Sequence, residues 1–275
     1  MEKWVLKTDV DGKEITVKDV QQVLLEMMKD IDAVCKKHDI PYILSGGSAL
    51  GAYRHQGFIP WDDDIDIAMM EHDYRRFLDI AVKEMSDDYV IHCYELNKCY
   101  NVTIPTMKIR KKGTYVQEVN KLLKNKCKDS DGLFIDVFVY TPVSDKLWID
   151  LPFRVFNTLL MPWIILFENL RINPIPLKSL YVLIAKIYGI INKGSKHIGF
   201  ELTWTFHSPL KPYRFLKADL FPTQDMPFED ASFSVAGNIE AYLTRAIGPD
   251  FSNLPPVEHR QPKHIVDIVL DGDSP

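Results

Sequence analysis

The chain is poor in cysteine, has no excess of base and holds no uninterrupted apolar run of membrane-spanning length; each lack excludes something. Four cysteines, at 35, 93, 99 and 127, are scattered through 275 residues. None forms a Cys-x-x-Cys pair, and a chain this long needs no disulfide staples, so free thiols in a reducing cytosol are expected. His92, Cys93, Cys99 and Cys127 do not have the spacing of a usual zinc knuckle. Lysine and arginine number 33 against 38 acids, a net charge of -5. Nucleic-acid binding needs a basic face, which this balance does not supply. The longest uncharged apolar stretch runs only from Val155 to Phe167, short of the roughly 20 residues that span a bilayer. Met1-Glu-Lys-Trp opens with charge rather than a signal-peptide run, which places the expected location in the cytoplasm. No internal repeat or low-complexity segment is visible, so length suits one large domain or two small ones.

What is present is an ordinary globular balance, 46% hydrophobic and 26% charged, with ample material for a core. Residues 4–16 read as a hairpin with Asp11-Gly12 at its turn. Thr16 and Asp19 resemble a capping box opening a helix. Val20, Val23, Leu24, Met27, Ile31, Val34 and Cys35 then recur at helical spacing as far as His38, and Asp39 and Pro41 end the helix. A short strand at 42–45, a Gly46-Gly47 turn, a helix at 48–55, a strand at 64–69 and a helix at 71–85 follow. Strands are expected near 89–95, 105–110, 114–119 and 133–140, and a late helix near 238–247. This order predicts an α/β (α+β) fold, a mixed sheet with helices packed on it. Three parts are expected: a catalytic core at 1–145, an apolar helical segment at 146–196, and a C-terminal part at 197–275 that completes the domain.

The densest chemistry lies between residues 44 and 69. Asp64 and Asp66 stand two apart on a predicted strand, so both carboxylates leave the same face. Adjacent carboxylates repel unless a cation lies between them. Magnesium takes hard oxygen ligands and shares them with substrate phosphates, so Asp-x-Asp suits phosphoryl transfer. Upstream, Gly46 and Gly47 would let a phosphate approach the backbone, and Ser48 with the free N–H groups of the next helix would hold it. Asp136 is the only charge in an apolar strand, a costly position unless the carboxylate is paired or metal-bound. It reads as a third metal ligand or as a base for an acceptor hydroxyl. Any one of these features alone is unremarkable: a turn, a solvated acidic loop, a core ion pair. Their order together points to a phosphate and metal site. Asp62 and Asp63 read as secondary: Asp62 shares the ligand face only if the strand begins early, and Asp63 points away.

At Gly46-Gly47-Ser48-Ala49-Leu50-Gly51 with Arg54-His55, and at Gly57-Phe58-Ile59-Pro60-Trp61-Asp62-Asp63-Asp64-Ile65-Asp66, the chain resembles the LicD family. That family includes phosphocholine transferases and, more distantly, fukutin-type transferases. The likeness continues at Met107–Arg110 with Thr114 and at Gly132–Asp136. Weaker fragments follow at Phe221-Pro222, Phe228-Glu229, Tyr242-Leu243, Leu254–Pro256, Arg260 and His264. The resemblance implies a nucleotidyltransferase-like core and a transferase moving phosphocholine, or a related phospho-alcohol, from CDP-choline or another CDP-alcohol. The acceptor would be a hydroxyl of a cell-surface glycan, lipid-linked or free: teichoic acid, lipopolysaccharide or capsule. It further implies Mg2+ (Mn2+ as the alternative) on Asp64, Asp66 and Asp136, and phosphate contacts from Arg54, Lys108 and Arg110. Trp61 would stack on the cytosine, cage the choline, or simply anchor its loop. Arg260 and His264 receive no role. The family's usual Pro-Leu-Asp after the third carboxylate strand is replaced here by Phe138-Val-Tyr-Thr-Pro142. Two other readings stay open: nucleotidyl transfer from a nucleoside triphosphate, and a non-catalytic adaptor in glycan assembly.

Residues 147–193 are apolar, broken by Pro152, Pro162, Pro174 and Pro176 and punctuated by Arg and Lys. They read as a helical subdomain or as a segment lying on the inner face of the cell membrane, the aromatic side chains contacting acyl chains and the bases contacting anionic headgroups.

Overall fold

The computed structural model describes residues 3–8, 12–119, 127, 130–202 and 212–270. Asp11 of the predicted turn lies outside the described residues. The chain opens with β1 (Val5–Thr8) and β2 (Glu14–Thr16), an antiparallel pair as expected. Thr16 then caps α1 (Val17–Lys37) in a complete capping box with Asp19. Most of the apolar stripe of α1 is buried, with Val20, Leu24, Met27, Met28 and Ile31 all at 0% exposure and Val23 and Val34 half-buried beside them. Asp39 adopts a left-handed φ of 49° just past the helix end, where a short polar side chain is tolerated.

β3 (Ile43–Leu44), α2 (Gly46–His55), β4 (Asp66–Met70) and α3 (Glu71–Glu84) follow. Then come β5 (Tyr89–Cys93), β6 (Met107–Lys111), β7 (Tyr115–Glu118) and β8 (Phe134–Pro142). β8 is the middle of the main sheet. It runs parallel to β4 along one edge. Along its other edge its first half pairs antiparallel with β6 and its last residues with β9 (His197–Phe200). A strand hydrogen-bonded on both edges and covered on both faces is expected to be apolar throughout, which makes Asp136 conspicuous.

Between β8 and β9 stand α4 (Leu147–Asn169) and α5 (Ile175–Ile191), packed on each other. Pro152 and Pro162 do not break α4, contrary to expectation. Both lie on its exposed side, where a lost backbone hydrogen bond is left to solvent and no packed neighbour meets the ring. The uncharged run also understates the helix: α4 is 23 residues long and, by length and composition, apolar enough to cross a membrane. Its ionised residues point inward. Asp150, fully buried, accepts from Arg154 Nε at 2.8 Å, from Arg214 Nη2 at 2.8 Å and from the Tyr188 hydroxyl. Glu168 and Lys178 pair at 1–2% side-chain exposure, and Lys178 also donates to the Tyr100 carbonyl at 3.0 Å. Removing one member of a buried pair strands the other. Lys178→Met is therefore expected to lower unfolding free energy by about 3 kcal/mol, read as a reduced urea midpoint at unchanged m-value.

The chain then adds β10 (Phe215–Leu216) to the sheet edge beside β9. α6 (Lys217–Leu220), the hairpin of β11 (Gln224–Phe228) and β12 (Ala231–Val235), and α7 (Ile239–Ala246) follow. Finally β13 (Ile265–Val269) pairs antiparallel with β7. The C-terminal residues thus extend the main sheet and return to the side of the molecule where β7 lies. The architecture is a mixed α/β sheet with flanking helices and an apolar helical pair, in agreement with the sequence.

Candidate active site

β4 and β8 lie side by side in parallel and set Asp66 directly opposite Asp136. Two backbone N–H bonds hold them there: the Asp66 N–H donates to Ser48 Oγ at 2.9 Å, and the Asp136 N–H donates to the Ile65 carbonyl at 3.2 Å. The ladder of β4 begins only at Asp66, two residues later than the strand read from the sequence. The two-residue alternation nonetheless runs on upstream: Asp62, Asp64 and Asp66 are partly exposed, while Asp63 and Ile65 are buried. Asp64 and Asp66 therefore share a face, as expected. Asp62, expected on this face only if the strand began early, shares it although the ladder begins late.

The electrostatics of this face run one way. Burial, then the charge of Asp64, pushes the Asp62 carboxyl up to about 8. Burial raises Asp64, against the pull of His264 and Lys108. Asp66 is raised well above the carboxylate range by burial and then by Asp64 and Asp136. Asp136 is pushed up to about 6 by burial, with Lys108 opposing. Four carboxyl groups share one face with too little positive charge to balance them, and all their donors are hard oxygens. That combination fits a divalent cation of the magnesium class.

Among the described residues, the ligand atoms that already stand within 4.8 Å of one another belong to Asp63, Asp64 and His264. This trio is better explained as a lock. Asp63 Oδ2 accepts the N–H groups of His264 at 3.1 Å and Ile265 at 3.0 Å, and Oδ1 accepts His264 Nδ1 at 2.9 Å. Both oxygens of a fully buried carboxylate are occupied, so Asp63 has little left for a metal. Burial opposes the charge on His264, but its bond to Asp63 and the nearby Asp64 outweigh that and push the imidazole up to about 10.

The other residues named from the sequence are placed as follows. α2 begins at Gly46, φ 54°, rather than at Ser48, so the predicted Gly-Gly turn is the first turn of the helix. Its N–H groups are less available than expected: Gly46 donates to the Tyr242 hydroxyl at 2.9 Å and Ser48 to the Ser45 carbonyl at 3.1 Å. A Cβ on Gly47 would stand 2.8 Å from Asp62 Oδ2, so glycine here lets the acidic loop approach the helix start. Lys108 reaches the site and pairs with Asp136 at 3.0 Å and Glu118 at 3.4 Å, its ammonium over the Phe134 ring.

Arg110 is not brought to the carboxylate face. It is fully buried, donating to Glu118 at 3.0 Å and to the Gly132 carbonyl at 2.8 Å. Two residues along β6 from Lys108, it fixes the far side of Glu118. Arg54 ties down the C-terminal segment through the carbonyls of Phe251 and Asn253 at 3.2 and 2.9 Å. Trp61 is a buried anchor, edge-on to Trp4 at 6.1 Å with the Arg260 guanidinium 5.6 Å from its ring. It also forms one wall of a cavity of about 920 Å³ that Trp4, Gln21, Glu229 and Arg260 help to line. Gln21 connects that cavity to the acidic loop by donating to the Asp62 carbonyl at 2.8 Å.

Sequence reasoning missed Glu118, Tyr242 and the Asp63–His264 lock. Glu118 carries no local signal, and Tyr242, visible as a motif fragment, gives no sign in the sequence of its bonds to Ser45 and Gly46. His264 was visible as a motif fragment, but 200 residues of chain separate it from Asp63, and only the pairing of β13 with β7 brings them together.

Residues 39–158 match the family described as LicD/FKTN/FKRP, nucleotidyltransferase domain. The lipopolysaccharide cholinephosphotransferase LicD of Haemophilus influenzae is 28% identical over 94% of this chain and 99% of its own length. An uncharacterized protein of Rickettsia typhi is 37% identical over 28% of this chain and 26% of its own length. One of Rickettsia prowazekii is 34% identical over 25% and 33%. Residues 39–158, which carry Asp64, Asp66 and Asp136, are thus a LicD-type domain, and the likeness to the Haemophilus protein continues nearly from end to end of the chain.

Proposed function

We propose that the protein transfers phosphocholine, or a closely related phospho-alcohol, from a CDP-activated donor to a hydroxyl of a cell-surface glycan, with release of CMP. The observation that carries this is the crowded carboxylate face of Asp62, Asp64, Asp66 and Asp136, in a chain similar along its length to a lipopolysaccharide cholinephosphotransferase. Asp64 and Asp66 would hold magnesium or manganese, and Asp136 would either complete the set or stay off the cation and act as the base. Bound there, the cation supplies charge neutralisation to the donor pyrophosphate and the departing CMP. The acceptor oxygen bonds to the choline-bearing phosphorus as the bond from that phosphorus to the bridging oxygen of CMP breaks. Lys108, held between Asp136 and Glu118, lies beside this face and is the residue best placed to meet a phosphoryl oxygen. The upward shift of Asp136 to about 6 also suits it to take the hydroxyl proton near neutral pH. With a cytoplasmic CDP-alcohol as donor, transfer would occur on the cytoplasmic side.

The test is direct. Purified protein given CDP-choline and a glycan acceptor should release CMP with magnesium and stop with EDTA. Pyrophosphate release from a nucleoside triphosphate, with none of CMP from CDP-alcohols, would replace this reading by nucleotidyl transfer.

A further inference from the structure

The α4–α5 pair is built inside out. In a helix of a water-soluble surface, apolar residues face the core and charges face solvent. Here Asp150, Arg154, Asn157, Glu168 and Lys178 are buried. The outward stripe of α4 is Trp148, Pro152, Val155, Phe156, Leu159, Pro162, Trp163 and Leu166, and that of α5 includes Leu180, Leu183, Ile187, Ile190 and Ile191, all exposed. No fully exposed ionised residue lies on either stripe; Lys186 stands half-buried at the edge of the α5 stripe. Trp148 is 73% exposed and Ile190 72%. A continuous apolar surface of this kind marks a partner or a membrane.

We infer that this surface rests on a lipid bilayer with anionic headgroups, the two helices lying along the membrane and the catalytic body outside it. Three observations favour lipid over protein. The apolar stripe runs the length of a helix of 23 residues, about 34 Å at 1.5 Å per residue; a long charge-free face suits acyl chains, which offer no polar partner. The exposed ionised groups between 145 and 196 are Lys146, Arg171, Lys193 and Lys196 against Asp145 alone. They sit at helix ends and in the connecting loop, so the rim is cationic and complements anionic headgroups. The Lys146 ammonium lies 5.8 Å from the Trp148 ring, the pairing of base and indole found at membrane interfaces. Crossing the bilayer is disfavoured, because the inward face of α4 is tied to the protein body through Asp150 and Arg214 and of α5 through Lys178 and Tyr100. The hairpin therefore lies on one leaflet.

The inference rests on this surface and not on which group is transferred, and the test keeps the two apart. The full-length protein is co-sedimented with sucrose-loaded phosphatidylcholine vesicles, with or without phosphatidylglycerol, and CMP release from soluble CDP-choline is followed in parallel. The wild type should bind, more tightly to the anionic vesicles. The double variant Leu159→Glu, Trp163→Glu should lose at least tenfold in vesicle affinity, while melting temperature and CMP release stay as in the wild type. A second variant, Lys193→Glu with Lys196→Glu, leaves every apolar residue in place and should erase the preference for anionic vesicles. Absence of wild-type binding at low salt would overturn the inference. So would a stable dimer in solution that the double variant dissociates and vesicles leave intact, since the apolar face would then belong to a second copy. Loss of CMP release in the wild type, with vesicle binding retained, would count against the proposed reaction and leave the membrane surface standing.

Discussion

Asp66→Asn is expected to reduce CMP release by a factor on the order of 10²–10³ or more while raising the melting temperature of the metal-free protein. The two effects have one cause. Asp66 faces Asp136 across the parallel strand pair and shares a face with Asp64 and Asp62. Burial and those neighbours hold its carboxyl well above 3.8, so the folded state binds its proton more tightly than the unfolded chain does. For an acid the sign follows: the folded state loses stability as pH rises above about 3.8 toward the raised value. Asparagine keeps the shape and removes the charge, so near neutral pH the variant should melt higher. Magnesium should then reverse the order. A ligand that binds only the native state raises its stability, and the wild type, with its ligand set intact, should gain more than the variant. Asp64→Asn should behave alike. A melting temperature that falls in the metal-free variant would mean that Asp66 is a satisfied structural group, and the account of the site would have to change. Scanning calorimetry with EDTA, then with magnesium, gives both readings on one sample.

The carboxylates were legible in the sequence because their signal is local. Asp-x-Asp alternation places Asp64 and Asp66 on a common face wherever the chain is extended, and the face persists upstream of the hydrogen-bonded strand. Asp136 stood out because a lone charge in an apolar run is expensive. Roles that depend on a distant partner were less legible. Arg110 lies on the same face of β6 as Lys108 by the same two-residue rule, yet Glu118 on β7 claims it. The Gly46 N–H was expected to be open to phosphate, but the Tyr242 hydroxyl, 196 residues away, accepts it. The helical pair shows a different limit. Composition marked 147–193 as apolar, with Arg154 and Lys178 among its interruptions. Only the packing shows that these interruptions are the inner face and the apolar residues the outer one.

The lock between Asp63 and His264 should be the most damaging single site outside the metal ligands. Asp63 is the fastening point for the segment that leads into β13, β13 pairs with β7, and β7 carries Glu118, the second partner of Lys108. Through that chain of contacts the lock bears on Asp136. Asp63→Ala leaves the N–H groups of Lys263, His264 and Ile265 and the imidazole without their acceptor; because His264 is 46% exposed and partly screened by solvent, the loss is about 1–3 kcal/mol. CMP release should fall as Lys108 loosens.

pH separates the electrostatic part. Burial acts to raise Asp63, but its bonds to His264 and the backbone win and hold it below 3.8, so its contribution is present above that value and is lost as pH falls through the lowered one. His264 is raised from 6.5 to about 10, so its contribution is complete below about 6.5 and declines as pH climbs toward 10. The pair is therefore strongest between about pH 4 and 6.5. In EDTA, the difference in guanidinium midpoint between wild type and His264→Gln should be largest near pH 6 and shrink steadily to pH 10. A difference that stays flat across that range would mean that the imidazole holds its place as a neutral donor, and that the strap over the carboxylates is fastened by the backbone bonds to Asp63 alone.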